Sequence, residues 1–367
     1  MKILILIHSL RRGGAERVVL ELALGLEKKG HLVEIVTWLD VDDYLEPEYK
    51  RVKKTHLIPK NKYRWIRSIP SSSKLLIQKI NNFQPDLIQG HTPSISLLAA
   101  WTNSKVPYMH IFHGYGEITK KSSIKNMIVK YVYRFAFKKL NAHIATVSKS
   151  MISYASKFLS KPENEFFYLP NGVDLIKFNY VQNLFNNLNE PVITMIGTLC
   201  HNKGQFRGIN AFNVLLKSFP KAILNIVGDG QDMNILKKHV TDLNLEGSII
   251  FMGLKSNIAE IIAKSDLLWQ LSESEALPMT VLESMAIGRP VIGYYVRGVM
   301  DVVVHNETGL LTEFGNIAEV ASLSKNVLLN KQLYNNFSTS ARLQLEKNYS
   351  YNGMIDEYEN FAIKILN

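Results

Sequence analysis

The sequence predicts an α/β protein of two successive domains, each a parallel sheet with helices on its faces. Three observations carry this. Short apolar runs alternate with longer amphipathic stretches as far as Val147, the rhythm of a parallel sheet. The rhythm stops in an Asn-rich, aperiodic stretch, Asn171–Glu190, which reads as a linker. It then restarts at Val192 and runs to Tyr295. A chain of 367 residues is long enough to bury two cores of ordinary size.

The first series opens with Lys2–His8. This run is too short for a signal peptide and lacks a small-residue cleavage site, so it reads as a buried strand. A loop over Ser9–Gly14 leads to a helix from about Ala15 to Lys29, closed by Gly30, and His31–Leu39 is the next strand. Further strands are expected at Leu87-Ile88, Tyr108–Phe112 and His143–Val147. The second series predicts strands at Val192–Ile196, Ala222–Val227, Ile249–Met252, Leu267–Leu271 and Val291–Tyr295, and a last helix from Ser350 to Leu366. The expected domains are therefore 1–175 and 176–349, with 350–367 as a C-terminal helix.

Composition narrows the function classes. One cysteine, Cys200, forbids an internal disulfide and points to a reducing cytoplasm. No apolar run approaches the ~18 residues of a membrane span. The net charge of +11 is lopsided: residues 1–175 carry +13 and residues 176–367 carry −2. The basic residues gather in two acid-free spans, 49–85 and 118–162. This asymmetry suggests an anionic partner for the first half alone.

The richest stretch is Ser274–Val291, which places Glu275 and Glu283 eight positions apart. Pro278 suits the first turn of a helix, where its missing N–H costs nothing, and Gly288 with Pro290 ends that helix. Glu275 then lies in the loop at a strand's C-terminal end and Glu283 on the following helix. Ligands of open α/β sheets bind at that edge.

This stretch resembles the retaining glycosyltransferases of family 4, with their S-x-x-E-G-x-P-x-x-x-x-E-A-M-A-x-G-x-P-V-I motif. Ala276 replaces the usual Gly and Ser284 a frequent Ala. Gly13-Gly14-Ala15-Glu16-Arg17 is similar to the family's glycine loop, and Asn171-Gly172-Val173-Asp174 with Phe178 to its hinge signature. Gly197-Thr198-Leu199 with Lys203-Gly204 matches G-R-L-x-x-x-K-G, and Ile226–Gly230 matches I-V-G-D-G. The resemblance covers nearly the whole chain. It implies the GT-B architecture: two Rossmann-like domains facing across a deep cleft, the first binding acceptor and the second nucleotide sugar, with the C-terminal helix crossing back onto the first.

Glycosyl transfer must stabilise a leaving diphosphate, hold the nucleoside and present a cation-like anomeric carbon to an acceptor oxygen. The resemblance assigns Lys203 to the diphosphate; by itself it would be a solvated loop lysine. Thr198 stands where the family has Arg, so one expected cation is missing; Thr198 retains a hydroxyl donor, and Arg207 is a candidate substitute. The backbone N–H groups of Met279, Thr280 and Val281 are expected to be free at the start of their helix and to receive phosphate. Gly13 and Gly14 let a backbone approach the donor closely. Glu283 is assigned to the ribose, whose vicinal diol a carboxylate can grip; otherwise it is an exposed helical carboxylate. Glu275 is assigned to the donor sugar, in positioning or electrostatic stabilisation. His113 closes an apolar strand, and the family keeps a His-Gly there that faces the sugar, although a lone His is more often structural. Glu117 is a weaker candidate near the acceptor.

The run Asp40-Val41-Asp42-Asp43 contains D-x-D, a metal motif of another glycosyltransferase fold, but an acidic cluster after a strand is more often a solvated loop. No metal and no cofactor are expected; the nucleotide sugar is a co-substrate. Ile124, Met127, Ile128, Tyr131 and Phe135 fall on one helical face, and Lys130, Arg134 and Lys138 on another, while Tyr133 and Phe137 add aromatics. A basic amphipathic helix suits an anionic membrane surface, and so does the span containing Tyr63, Trp65 and Ile66; the alternative is that the apolar stripe packs on its own sheet. Basic segments 50–79 and 120–139 are thus the expected membrane contacts. No recognised nucleic-acid motif appears. The sequence reads as a cytoplasmic glycosyltransferase, peripheral at the inner membrane face, moving a sugar from a UDP-linked donor to a lipid-linked or growing surface glycan. Two rivals stand beside this: a sugar-nucleotide epimerase of the same fold, and a non-catalytic nucleotide-sugar-binding protein.

Overall fold

The computed structural model describes residues 1–44, 46–59, 65–114, 124–181 and 190–367; at 59, 65–67 and 124–129 it describes backbone alone. Glu117, Lys60, Lys62, Tyr63, Arg64, Lys120, Lys121 and linker residues 182–189 lie outside the described residues. The chain divides into two compact units, Met1–Asn171 with Asn352–Asn367, and Gly172–Tyr351.

The first unit runs β1 (Lys2–Ile7), α1 (Gly14–Lys28), β2 (Leu32–Asp40), α2 (Pro47–Lys50), β3 (Lys54–Pro59), α3 (Trp65–Phe83), β4 (Leu87–Gly90), α4 (Pro93–Ala100), β5 (Tyr108–Phe112), α5 (Ile124–Lys139), β6 (His143–Thr146), α6 (Lys149–Leu159) and β7 (Phe166–Tyr168). Its seven strands lie in the order β3-β2-β1-β4-β5-β6-β7, every pair parallel. The order reverses at β1, which pairs with both β2 and β4. β1 is buried from Ile3 to Ile7, as a strand covered on both faces must be.

The second unit repeats the plan: β8 (Val192–Ile196), α7 (Gln205–Leu215), β9 (Ile223–Val227), α8 (Met233–Asp242), β10 (Ile249–Gly253), α9 (Ile258–Ala263), β11 (Leu267–Gln270), α10 (Met279–Ile287), β12 (Val291–Tyr294), β13 (Gly309–Thr312), α11 (Ile317–Leu329) and α12 (Lys331–Asn348). The sheet order is β10-β9-β8-β11-β12-β13, again all parallel, with the reversal at β8. Both units therefore have the doubly wound order whose switch point forms a ligand crevice at the strands' carboxyl ends.

The last helix, α13 (Tyr351–Leu366), belongs to the first unit from Asn352 onward. It buries Met354, Ile355, Tyr358, Phe361 and Ala362. His31 Nε2 lies 2.7 Å from Glu359, Lys29 pairs with the same carboxylate, and Phe361 packs on Phe167. Gly172 sits where the chain passes Ser350, and any Cβ there would strike the Ser350 carbonyl. That close passage explains a glycine in the Asn-Gly-Val-Asp turn.

The D-x-D acids are structural ties. Asp42 pairs with Lys54 at 2.7 Å and accepts the Tyr44 N–H, while Asp43 accepts the Arg12 N–H. Among the described residues no group of His, Cys, Asp and Glu could hold a metal ion. No described helix is long and apolar enough to cross a membrane.

Candidate active site

In the second unit, the carboxyl edge at the β8/β11 switch point gathers the charged groups. β11 ends in Gln270, a buried amide at the close of an apolar strand. Its Nε2 donates to Glu275 Oε1 at 3.0 Å and to Ser272 Oγ at 2.7 Å, and its Oε1 accepts the Thr280 hydroxyl at 3.1 Å. Lys203 Nζ reaches the same Glu275 oxygen at 2.6 Å. One carboxylate oxygen thus takes both bonds, and the glutamate is held in one place by an amide and an ammonium.

Glycines let the loops close around this pair. Gly204, with φ +77°, lies against the Leu271 carbonyl, and a Cβ there would strike it. Gly298, with φ +79°, lies against the Glu275 and Ala276 carbonyls in the same way. Through this contact the loop after β12 supports the Glu275 turn, and the Glu275 N–H reaches the Arg297 carbonyl at 3.4 Å.

Arg207 lies outside this pair. Its guanidinium contacts Glu273 at 3.3 Å, lies 3.4 Å from the His201 carbonyl and stacks over Phe314 at 4.9 Å. Thr198 is exposed, and its carbonyl accepts the Gln205 amide at 3.1 Å. The helix start needs a correction. The Val281 N–H, expected to be free, donates to the Pro278 carbonyl at 3.0 Å, because the first turn tightens around the Pro278 cap. Met279 and Thr280 open the helix before it. Glu283 is not the exposed helical carboxylate of the bland reading: it is 1% exposed, on a helix buried along nearly its whole length.

In the first unit, Gly13 caps α1 and is clamped by Tyr44. The Tyr44 hydroxyl accepts the Gly13 N–H at 3.1 Å and donates to its carbonyl at 2.6 Å. Burial pushes the Tyr44 hydroxyl up to about 12, so it stays protonated in this role. Gly13 and Gly14 are exposed, but a Cβ at Gly13 would meet the Glu16 carboxylate, which lies over the turn. Burial raises the Glu16 carboxyl above its ordinary range, against the opposing pull of its own backbone N–H.

His113 follows β5 and is half buried. Its ring stacks on His91, with centroids 5.0 Å apart and Nε2 2.7 Å from His91 Nδ1. His91 and His110 are wholly buried, and His110 Nδ1 lies 2.8 Å from Ser96 Oγ. Burial pushes His113 down to about 4 and holds His91 and His110 well below the ordinary imidazole range. Burial also lowers His8, helped by Arg11, and His143, helped by Lys161.

Residues 12–177 match the family model for Glycosyltransferase Family 4, and residues 177–344 match that for Glycosyl transferases group 1. This chain is a family 4 glycosyltransferase of GT-B fold. Among similar proteins, the N-acetyl-alpha-D-glucosaminyl L-malate synthase of Bacillus anthracis is 28% identical over 229 residues, 61% of this chain and 60% of its own length. The UDP-Gal:alpha-D-GlcNAc-diphosphoundecaprenol alpha-1,3-galactosyltransferase of Escherichia coli is 27% identical over 316 residues, 82% of this chain and 80% of its own. The crystal structure of Anabaena Alr3699/HepE in complex with UDP and glucose superimposes with a TM-score of 0.84 at 18% identity, covering 99% of this chain and 100% of that one.

Several contacts at the candidate site escaped the motif reading: Gln270 as the Glu275 brace, the Thr280 hydroxyl on Gln270, His91 behind His113, and Gly298 behind the Glu275 turn. A signal existed for two of them. Gln270 and His91 are polar residues at the ends of apolar strand runs, where a buried polar group needs a partner.

The lowered histidines set a pH dependence. All five lie in the first unit and stay neutral there while the unfolded chain protonates near 6.5. Their contribution is complete above that value and is lost as pH falls below it, at roughly 1.4 kcal/mol per pH unit for each histidine that stays neutral. The glycosyltransferase's melting temperature is expected to fall steadily from pH 6.5 to 4.5; a flat profile across that range would contradict the neutral cluster.

Proposed function

We propose that this glycosyltransferase acts with retention and without a metal, moving a sugar from a nucleotide-sugar donor, a UDP-sugar, to a lipid-linked or growing surface glycan. The observation that carries the reading is the Lys203–Glu275 pair at 2.6 Å, braced by Gln270. Lys203 supplies a cation for the departing diphosphate, and Met279 and Thr280 at the start of α10 supply dipole and N–H groups for the same charge. Glu275 positions the sugar and offsets positive charge at its anomeric carbon. Glu283 grips the ribose. In the first unit the reading assigns the Gly13-Gly14 turn and His113 to ligand binding; a phosphate on that turn has to displace the Glu16 carboxylate. The E. coli relative's name pairs a UDP-sugar with a diphosphoundecaprenol-linked acceptor, which supports the donor and acceptor classes chosen.

The test is a thermal-shift screen of UDP-, GDP- and ADP-sugars in EDTA, repeated with Mg²⁺ or Mn²⁺. UDP-sugars alone are expected to stabilise the protein, equally with and without metal. Lys203→Ala and Glu283→Ala are expected to abolish the shift. Because Glu283 is buried, Lys203→Ala is the control that leaves the fold intact. NMR of the product is expected to keep the donor's anomeric configuration. Stabilisation by no donor would sink the reading, and an inverted product would sink retention.

The reading places the enzyme at the inner membrane face through one patch. Trp101, Tyr131 and Phe135 are 55%, 66% and 64% exposed and flank an apolar hollow with Leu97 and Val132, edged by Lys139. Helix α5, which carries Tyr131 and Phe135, packs through Tyr133, Ala136 and Phe137, so the aromatics expected as additions hold the core, while Tyr131 and Phe135 of the expected stripe face solvent. Arg134 is spent locally, donating to the Phe158 carbonyl at 2.6 Å and the Ser160 hydroxyl at 2.6 Å. In span 50–79, Lys53 and Lys79 pair with Glu34, and Lys54 with Asp42, which weakens that span as a docking surface. Trp101→Ser with Phe135→Ser is expected to lower binding to vesicles with anionic lipid at least tenfold in sedimentation, since each buried aromatic is worth roughly 1.5–3 kcal/mol. Unchanged binding would remove this patch from the proposal.

A further inference from the structure

Gln270 closes β11 and is buried, so its amide needs partners inside the protein. It finds them in three successive parts of the chain: Ser272 just past the strand, Glu275 in the loop, and Thr280 in the first turn of α10. An amide offers two donors at one end and an acceptor at the other, so it can tie unlike groups together.

The direction of these bonds follows from Lys203. An ammonium only donates, and Lys203 Nζ lies 2.6 Å from Glu275 Oε1, so that oxygen is an acceptor. The amide end 3.0 Å from the same oxygen is therefore the NH2 group, since a carbonyl there would set acceptor against acceptor. Its second N–H goes to Ser272 Oγ at 2.7 Å. The carbonyl end then faces Thr280 Oγ1 at 3.1 Å, and the Thr280 hydroxyl is the donor. The charge on Lys203 thus orders protons as far as α10: Thr280 donates to Gln270, and Gln270 donates to Glu275. Both N–H groups of the amide are used, which locks its orientation.

We propose that Gln270 is a positioning residue for sugar transfer: its amide ties the Glu275 carboxylate, which meets the donor sugar, to the start of α10, which meets the diphosphate, so that both sides of the bond to be broken are held in one frame. The inference rests on the reading of Glu275 and the α10 start as donor-binding groups. Gln270 acts only through them. Helix α10 is buried along nearly its whole length and is the fixed end of the tie; Glu275, in a loop, is the end that is held. Lys203 cannot do this alone. It is a long side chain, 30% exposed, and it is the cation assigned to the diphosphate. The buried amide keeps Glu275 in place when the ammonium turns to that charge.

The test uses the full chain labelled with ¹³C and ¹⁵N, with the Gln270 side-chain NH2 assigned through its own backbone signals. Its protons are expected to exchange slowly with solvent, and to shift far more in Glu275→Ala than in Thr280→Val. Free exchange in the wild type overturns the proposal even if no variant folds. The reverse order of shifts means a reversed amide and also overturns it. UDP release is then followed with the UDP-sugar that most stabilises the protein. Gln270→Met is expected to lower kcat about tenfold, the worth of one well-oriented hydrogen bond, and to leave UDP affinity within about twofold, because α10 stays in place. Added to Glu275→Ala, it is expected to cost less than about twofold more, since no carboxylate is left to position. Full additivity, or a loss of UDP affinity as large as that in kcat, shows an amide that serves the fold alone and overturns the proposal. So does an unchanged kcat in Gln270→Met where Glu275→Ala is impaired. Wild-type turnover in Glu275→Ala is a different failure: it removes the reading of Glu275, and the role of Gln270 with it.

Discussion

Replacing Lys203 with alanine is expected to lower kcat by about 10²–10³-fold, the usual cost of removing one electrostatic contact to developing charge. The side chain is 30% exposed and pairs with Glu275, so the pair adds at most about 1 kcal/mol to stability. The melting temperature should hardly move, which separates a lost function from a lost fold. Glu275→Gln is expected to reduce kcat comparably but to spare donor affinity, because the cation for the diphosphate remains. The two side chains share one contact, so the double variant is expected to fall well short of the product of the single losses. Initial rates against donor concentration, with donor affinity measured separately, read all three. Either single variant within a few-fold of wild type would remove this pair from the chemistry.

The sequence carried these two residues because their motifs are dense. Glu275 lies in a run where Pro278, Gly288 and Pro290 punctuate a helix at fixed spacing, and such punctuation survives without any knowledge of packing. Central strands were equally plain. Lys2–Ile7, Tyr108–Phe112 and Val192–Ile196 are apolar because both faces of a parallel sheet are covered. The strands that escaped, Lys54–Pro59, Phe166–Tyr168 and Gly309–Thr312, are all sheet edges. Edge strands have one neighbour, need less apolar surface and tolerate charge and proline, so their pattern fades into the loops.

Side-chain pairing was harder to read than strands. Arg207 is close to Lys203 in sequence, and proximity suggested a second cation for the same anion. Arg207 sits in the first turn of α7, which follows the Lys203 turn, and its guanidinium meets Glu273 and Phe314. The basic amphipathic helix was ambiguous in another way. Tyr131 and Phe135 lie on one helical face and Tyr133 and Phe137 on another, and periodicity alone does not say which face meets the sheet. Contacts decide that, and Tyr133 and Phe137 are the buried pair.

Glu34 illustrates how far a charge count can mislead, and it carries the largest stability effect expected in the molecule. The span 49–85 contains no acid, yet Glu34 on β2 is 2% exposed and pairs with both Lys53 and Lys79 of that span. Burial pushes its carboxyl up, and the two ammonium groups more than offset this, leaving it below the ordinary carboxylate range. Glu34→Leu removes the buried anion and strands the mostly covered Lys79, whose side chain is 17% exposed. Breaking one side of a buried pair costs roughly 3–5 kcal/mol, which for a unit of this size lowers the melting temperature by about 10 °C. The double variant Glu34→Leu with Lys79→Met removes both buried charges and is expected to recover most of the loss, since an apolar replacement of a buried pair is often neutral. A depressed carboxyl gives stability that is complete above its unfolded value and lost as pH falls through its folded value, so the difference between wild type and Glu34→Leu should shrink below about pH 4.5. Urea melts of the three proteins at pH 7 and pH 4 measure both effects, and equal stability of wild type and Glu34→Leu at pH 7 would show that the lysines find water as readily as they find Glu34.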